Sequence, residues 1–170
     1  MNEMTTKLIK DYNISSIKLS TPRSTSSGNT IIDVLDPDLL QTPWSSVKYV
    51  STDNNNLLIS VNNDTFIEKL KQLDDYIFNY CKKLYDEFTV NNYIQILKDD
   101  NYFKIGVGVN CVFFEKDLES TNVYCYDQIK DRLNKDTRIR CIFKLKKINI
   151  KSSVISTQIE LVQCELKFNQ

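Results

Sequence analysis

Histidine is absent from all 170 residues. With it go the commonest general base, the commonest metal ligand and a member of most nucleophilic triads. Ser-His-Asp hydrolysis, Cys-His hydrolysis and His-bearing zinc sites are therefore excluded. Glycine and proline occur three times each, and no GxxxxGK[ST] loop or GxGxxG turn is present. The nearest approach, Gly106-Val107-Gly108, lies in a strand-like run without a third glycine opening a helix. The five cysteines, Cys81, Cys111, Cys125, Cys141 and Cys164, are odd in number, set largely among apolar neighbours and free of any CxxC pair, so they read as reduced core residues. No run of about 18 apolar residues occurs, and Met1-Asn2-Glu3-Met4 does not begin a secretory leader. Net charge is lacking too, with 22 basic residues against 22 acidic, so no global field draws in nucleic acid or membrane. These absences describe a soluble intracellular binding protein, not an enzyme, with no cofactor, no metal and no membrane partner.

Alanine is also missing, while Asn, Ile, Lys and Tyr are abundant. That is the mark of AT-rich codons and fits a viral genome. It also means that abundance of Lys or Asn argues nothing by itself; position has to carry the argument.

The fold class expected is α+β: a coiled antiparallel sheet or OB-like β-barrel with one long amphipathic helix. Residues 1–29 are expected to form a partly flexible N-terminal arm, because Ser20–Asn29 is rich in Ser and Thr with Pro22 and Gly28. A short strand at Tyr12–Leu19 precedes it. Residues 30–170 are expected to form a single OB-like domain. Strands are predicted at Thr30–Leu35, Ser46–Ser51 and Leu57–Val61, the last two joined by the turn Asp53–Asn56. Thr65 and Glu68 fit a capping box, and Phe66, Leu70, Leu73, Ile77, Cys81, Leu84 and Phe88 recur at helical spacing, predicting a helix over Thr65–Phe88. Over Tyr102–Lys116 the period falls to two, with Phe103, Ile105, Val107, Val109, Cys111 and Phe113 on one face. Gly106 and Gly108 lie on the other, where a bend or a close approach of backbone or ligand is expected. In Thr137–Lys151 the alternation slips at Lys146-Lys147, and in the returning strand it slips between Leu161 and Val162. Two slips predict bulges in a strongly coiled sheet or small barrel.

One charge cluster stands out. Lys130–Lys151 holds nine Lys and Arg against two acids, Asp131 and Asp136. On a strand, Arg138, Arg140, Lys144 and Lys146 share a face and form a ladder able to track single-strand phosphates while aromatic rings stack on bases. Candidate rings are Tyr102, Phe114, Tyr124 and Tyr126, with Trp44 and Tyr49 beside Lys48. Lys104, two residues from Tyr102, completes the candidate nucleic-acid-binding set of Arg138, Arg140, Lys144, Lys146, Lys104, Lys48, Trp44, Tyr49 and Tyr102. The plain alternative is a solvated sheet face with core aromatics. A carboxylate-metal nuclease also needs no histidine, and Glu165-Leu166-Lys167 with Pro37-Asp38 supplies its fragments, far apart in sequence.

Thr42-Pro43-Trp44 with Lys48-Tyr49, together with Thr137-Arg138-Ile139-Arg140-Cys141-Ile142-Phe143-Lys144-Leu145 and Thr157-Gln158-Ile159-Glu160-Leu161, resembles the single-stranded DNA-binding proteins of large DNA viruses. The resemblance covers roughly Gln41 to Phe168 and departs from the family in its charge neutrality. It implies a partly open OB-like barrel whose curved face takes oligonucleotides. It further implies sequence-tolerant single-stranded DNA binding in viral DNA replication, inside the host cell in the nucleus or a viral replication compartment. RNA as a second ligand and a homo-oligomeric state are both left open. The rival from another class is a viral structural or host-interaction protein without nucleic-acid binding.

Overall fold

The structure is a computed structural model that describes residues 6–8, 11–51, 54–116 and 120–168. Five strands make a barrel: β1 (Ser45–Ser51), β2 (Asn56–Ser60), β3 (Tyr102–Lys116), β4 (Arg138–Lys151) and β5 (Val154–Lys167). They pair in the ring β1-β2-β3-β5-β4, which returns to β1. The closing seam is short, only Arg138 opposite Ser46 and Ile139 opposite Ser45. The OB-like barrel implied by the resemblance is therefore present, and the chain is mostly β, which corrects the α+β expectation. The sheet is not purely antiparallel either, because β3 and β5 run parallel.

The hairpin β4–β5 forms the spine, and its bulges fall where the sequence alternation slips. Leu145 faces Ile159 while Lys147 faces Gln158, leaving Lys146 with no residue opposite it in register. Ile142 faces Gln163 while Phe143 faces Leu161, leaving Val162 likewise. Each extra residue restores apolar side chains to the interior, so Ile139, Cys141, Phe143, Leu145, Ile148 and Ile150 are all buried along one strand. The other edge of β4 is shared by three earlier segments in succession. Thr30–Leu35 pairs with its far end, Leu39–Gln41 with its middle and β1 with its start. Of the expected arm, Tyr12 is buried, the Tyr12 and Ile17 carbonyls accept from Lys69 and Tyr76 of the helix at Asp64–Leu84, and Lys18–Leu19 and Arg23–Ser24 both pair with Thr30–Leu35. Tyr12–Leu19 is not one strand, since Ile14–Ser16 is a single 3-10 turn. Residues 1–5, 9 and 10 of the arm lie outside the described residues.

Strand β3 bends hard where Gly108 sits. Val107 faces Leu161 and Val112 faces Gln163, so four residues of β3 bulge out against one of β5. A Cβ on Gly108 would lie 3.0 Å from the Leu161 carbonyl oxygen and 3.2 Å from Glu160 Cγ. The glycine therefore permits close approach of β5, not of a ligand. The same bulge turns Val109 fully outward, against its expected place on the apolar face.

Helix α1 (Asp64–Leu84) connects β2 to β3. Its cap is Asn63, whose side chain accepts the Phe66 N–H at 2.9 Å, rather than Thr65. It ends at Leu84, which is exposed, and Phe88 is buried beyond the helix instead of on it. Phe66 meets Phe103 of β3 at 5.7 Å and Phe143 of β4 at 6.4 Å between ring centres. The helix thus packs its first turn onto rings from two separate strands of the barrel interior. No helix among the described residues is long and apolar enough to cross a membrane. Helix α2 (Tyr126–Ile129) is a single turn between β3 and β4.

Candidate nucleic-acid interface

Strand register decides which side chains share the outer barrel face. Tyr49 lies opposite Leu58, and Leu58 opposite Lys104. Ser46 lies opposite Ser60, and Ser60 opposite Tyr102. A bulge between Val47 and Tyr49 puts Lys48 on this same outer side. Its ammonium sits 3.9 Å from the centre of the Tyr102 ring, so that ring positions a cation. Tyr49 is 59% exposed and offers an open ring. Four of the nine expected residues, Lys48 and Tyr49 on β1 and Tyr102 and Lys104 on β3, therefore come together on one face, across β2.

Lys104 also borders a groove of about 390 Å³ that runs over Gly106 between β2, β3 and the β4–β5 hairpin. Its polar lining is Asn56, Gln95, Lys98, Lys104, Asn149, Ser156, Thr157 and Gln158, with two lysines and no carboxylate. Lys98 was not among the expected residues; it lies in the two-residue strand Leu97–Lys98, which pairs with the start of β3 so that Lys98 faces Tyr102. Burial lowers the Lys98 pKa, opposed by Asp74 and Asp99. The far wall, residues 94–98, is tied to α1 by Asp74, which is buried and accepts the Tyr93 hydroxyl and the Ile96 amide at 2.7 Å each and the Leu97 amide at 3.3 Å. A larger cavity of about 600 Å³ lies behind this wall, but Asp74, Asp75 and Asp99 there outnumber Lys98, a balance that repels phosphate.

The ladder on β4 lies on the outer face as expected but is laced to carboxylates of β5. Arg140 faces Glu165 in register and bonds it through Nε at 3.0 Å. Lys144 reaches Glu160 at 3.0 Å, and Lys146 bonds the same carboxylate. Burial would raise the Glu160 pKa, but hydrogen bonds from Lys146 and Lys144 outweigh it and hold the carboxyl below its usual range. Of the four, Arg138 alone has no carboxylate partner among the described residues. It shares the half-buried Trp44 ring with Arg140, at 5.8 and 5.0 Å, and Lys167 approaches the ring at 5.5 Å. Trp44 is fixed there because Thr42 docks on β4, donating its N–H to the Cys141 carbonyl and accepting the Cys141 N–H on its hydroxyl, both at 2.9 Å.

The other expected rings serve elsewhere. Tyr126 is buried against Phe113, and Tyr124 and Phe168 both pack on Arg132. The nuclease fragments are separately engaged, Asp38 with Lys7 and Glu165 with Arg140. No group of three or more Cys, Asp or Glu placed to hold a metal exists among the described residues. Burial raises the Cys164 thiol well above its ordinary value. Burial pushes Cys81 up to about 11 and Cys111 up to about 12.

No known family's sequence pattern matches this chain, and no curated protein matches it. Its fold does find counterparts. The single-stranded DNA-binding protein from bacteriophage Enc34, in complex with single-stranded DNA, superimposes with a TM-score of 0.50 at 8% identity, over 90% of this chain and 93% of that one. A C-terminal truncation of the Enc34 protein gives the same score and identity over 93% and 98%. The likeness is one of fold.

Proposed function

We propose that this chain binds single-stranded DNA, without strong sequence preference, through the outer face of β1, β2 and β3 and the adjoining groove. The observation that carries the reading is the meeting of Lys48, Tyr49, Tyr102 and Lys104 on the strand face where OB barrels take oligonucleotides. In this reading Lys48, Lys98 and Lys104 hold phosphates, Tyr49 stacks on a base and Tyr102 steadies Lys48. The amides and hydroxyls of Asn56, Asn149, Ser156 and Gln158 bond phosphate and sugar oxygens in a groove lined, among the described residues, by no acidic side chain. The Enc34 fold likeness supports it. A role in viral DNA replication, in the nucleus or a viral replication compartment, follows from the same reading.

The test is fluorescence anisotropy with labelled single-stranded DNA, single-stranded RNA and duplex at several salt concentrations. Each phosphate contact on a single strand contributes about 0.7 to the slope of log affinity against log salt. Lys48→Gln with Lys104→Gln should reduce that slope by about 1.4. Lys144→Gln with Lys146→Gln should reduce it less, because Glu160 already offsets part of their charge. Absence of salt-dependent single-strand binding by the parent would transfer the face to a protein partner, as in a structural or host-interaction role.

A further inference from the structure

Trp44 is the one tryptophan of the chain, and it lies among cations on the barrel surface, away from the groove residues. Of the three cations around it, Arg140 is held by Glu165. Arg138 and Lys167 are exposed, lack a carboxylate partner among the described residues and face each other in register across β4 and β5. Around one ring, three positive groups therefore meet one carboxylate, leaving a local excess of positive charge that a phosphate would neutralise.

The register connects this cluster to the face described above. Tyr102 lies opposite Ser60, Ser60 opposite Ser46, Ser46 opposite Arg138 and Arg138 opposite Lys167. One row thus crosses all five strands and passes over the short β1–β4 seam. At about 4.8 Å per strand, Tyr102 to Arg138 spans roughly 14 Å. The positions between are serines, whose short side chains keep the surface low and offer hydroxyls to a passing backbone.

We propose that a single strand bound at the groove continues along this row, across the seam, to a second phosphate-binding subsite formed by Arg138 and Lys167 beside Trp44. The inference rests on the proposed single-stranded DNA binding and adds the path, its far end and a length requirement. Lys144 and Lys146, engaged by Glu160, lie off the path.

Trp44 supplies its own reporter, because no other tryptophan contributes to the emission. Oligothymidylates of about 4 to 16 residues, each carrying a dye, are titrated with the full chain. Dye anisotropy reports binding and Trp44 emission reports the subsite. Short members should raise anisotropy and leave Trp44 emission unchanged; emission should respond only above a threshold length. Arg138→Gln with Lys167→Gln should lower the salt slope by about 1.4 for long oligomers and leave short ones unaffected. Both side chains are exposed, and circular dichroism confirms that the variant folds. Saturating anisotropy by the longest oligomer with no change in Trp44 emission overturns the path while sparing the binding function. Full response of Trp44 to the shortest bound oligomer also overturns it, by placing Trp44 in the primary site. No anisotropy change with any oligomer removes the binding function itself, and the subsite with it.

Discussion

Removing the Asp74 carboxylate should destabilise the protein and loosen one wall of the groove. Asp74 sits on the buried stripe of α1 at 6% exposure and receives the Ile96 and Leu97 amides as well as the Tyr93 hydroxyl. Ile96 and Leu97 are themselves buried, so Asp74→Ala leaves two amide donors without an acceptor, each costing about 1–3 kcal/mol. Water admitted from the adjoining cavity relieves part of this, and a net loss of about 2–4 kcal/mol is expected. Asp74→Asn keeps the oxygen that serves Tyr93 and Ile96 but turns an NH₂ toward the Leu97 N–H, so it should cost less. The pH dependence is a second readout. Burial raises the Asp74 pKa, against the Ile96, Tyr93 and Leu97 hydrogen bonds and the Lys98 charge, which lower it. A carboxyl raised above its unfolded value of about 3.9 contributes stability that is full below that pH and is lost as pH rises through the folded pKa. The parent should therefore lose stability upward from about pH 4, and Asp74→Asn should remove that component. Urea unfolding followed by far-UV circular dichroism across the acid range measures both effects. An Asp74→Ala variant within about 0.5 kcal/mol of the parent, or an Asp74→Asn pH profile superimposing on the parent's, would refute the clamp.

Gly108→Ala should cost about 1–3 kcal/mol, because the new Cβ meets the Leu161 carbonyl at 3.0 Å and strand β5 cannot retreat without strain; unchanged urea midpoints would show that the bulge yields freely. Leu73→Ala, at a site 2% exposed, should cost about 2–5 kcal/mol. Leu84→Ala, at 42% exposure, should stay within about 0.5 kcal/mol; equal losses at both positions would mean that the apolar stripe continues past the observed helix end.

What the sequence made legible was local periodicity. The β4–β5 hairpin and both of its bulges could be placed because each strand buries one face, so a one-residue slip in the alternation has to be absorbed by an extra residue. Helix α1 was visible for the same reason, at a period of 3.6. Its end was not, since Leu84 and Phe88 continue the spacing while the chain leaves the helix at Tyr85. Val109 kept its parity too, yet a four-residue bulge against β5 turned it outward. Pairings between remote segments write nothing into a single strand's alternation. The parallel pairing of β3 with β5 and the docking of Thr42 on Cys141, 99 residues away, were illegible on that account.

The candidate interface shows the same division more sharply. Counting charge along Lys130–Lys151 finds a ladder, because consecutive outward positions on one strand are two residues apart. The carboxylates that answer it, Glu160 and Glu165, lie on the next strand and fall outside any such count. A surface that binds a polymer across a barrel is instead read perpendicular to the strands, along hydrogen-bond register. In this chain that direction joins Tyr102, Ser60, Ser46, Arg138 and Lys167, residues up to 121 apart in number. Lys48, Tyr49, Tyr102 and Lys104 could be put forward as candidates beforehand, and the strand register brings them onto one face. Lys98 and Lys167 were not put forward: Lys98 is brought to the groove by its pairing opposite Tyr102 and Lys167 to Trp44 by its pairing opposite Arg138, neither of which a count along one strand displays. Neutral net charge therefore does not argue against a polyanion ligand. Many of the acids are drawn off to β5, to α1 and to the cavity behind residues 94–98, which shares Lys98 with the groove. Among the described residues, Lys104 borders a groove without a carboxylate in its lining, and Arg138 and Lys167 have no carboxylate partner.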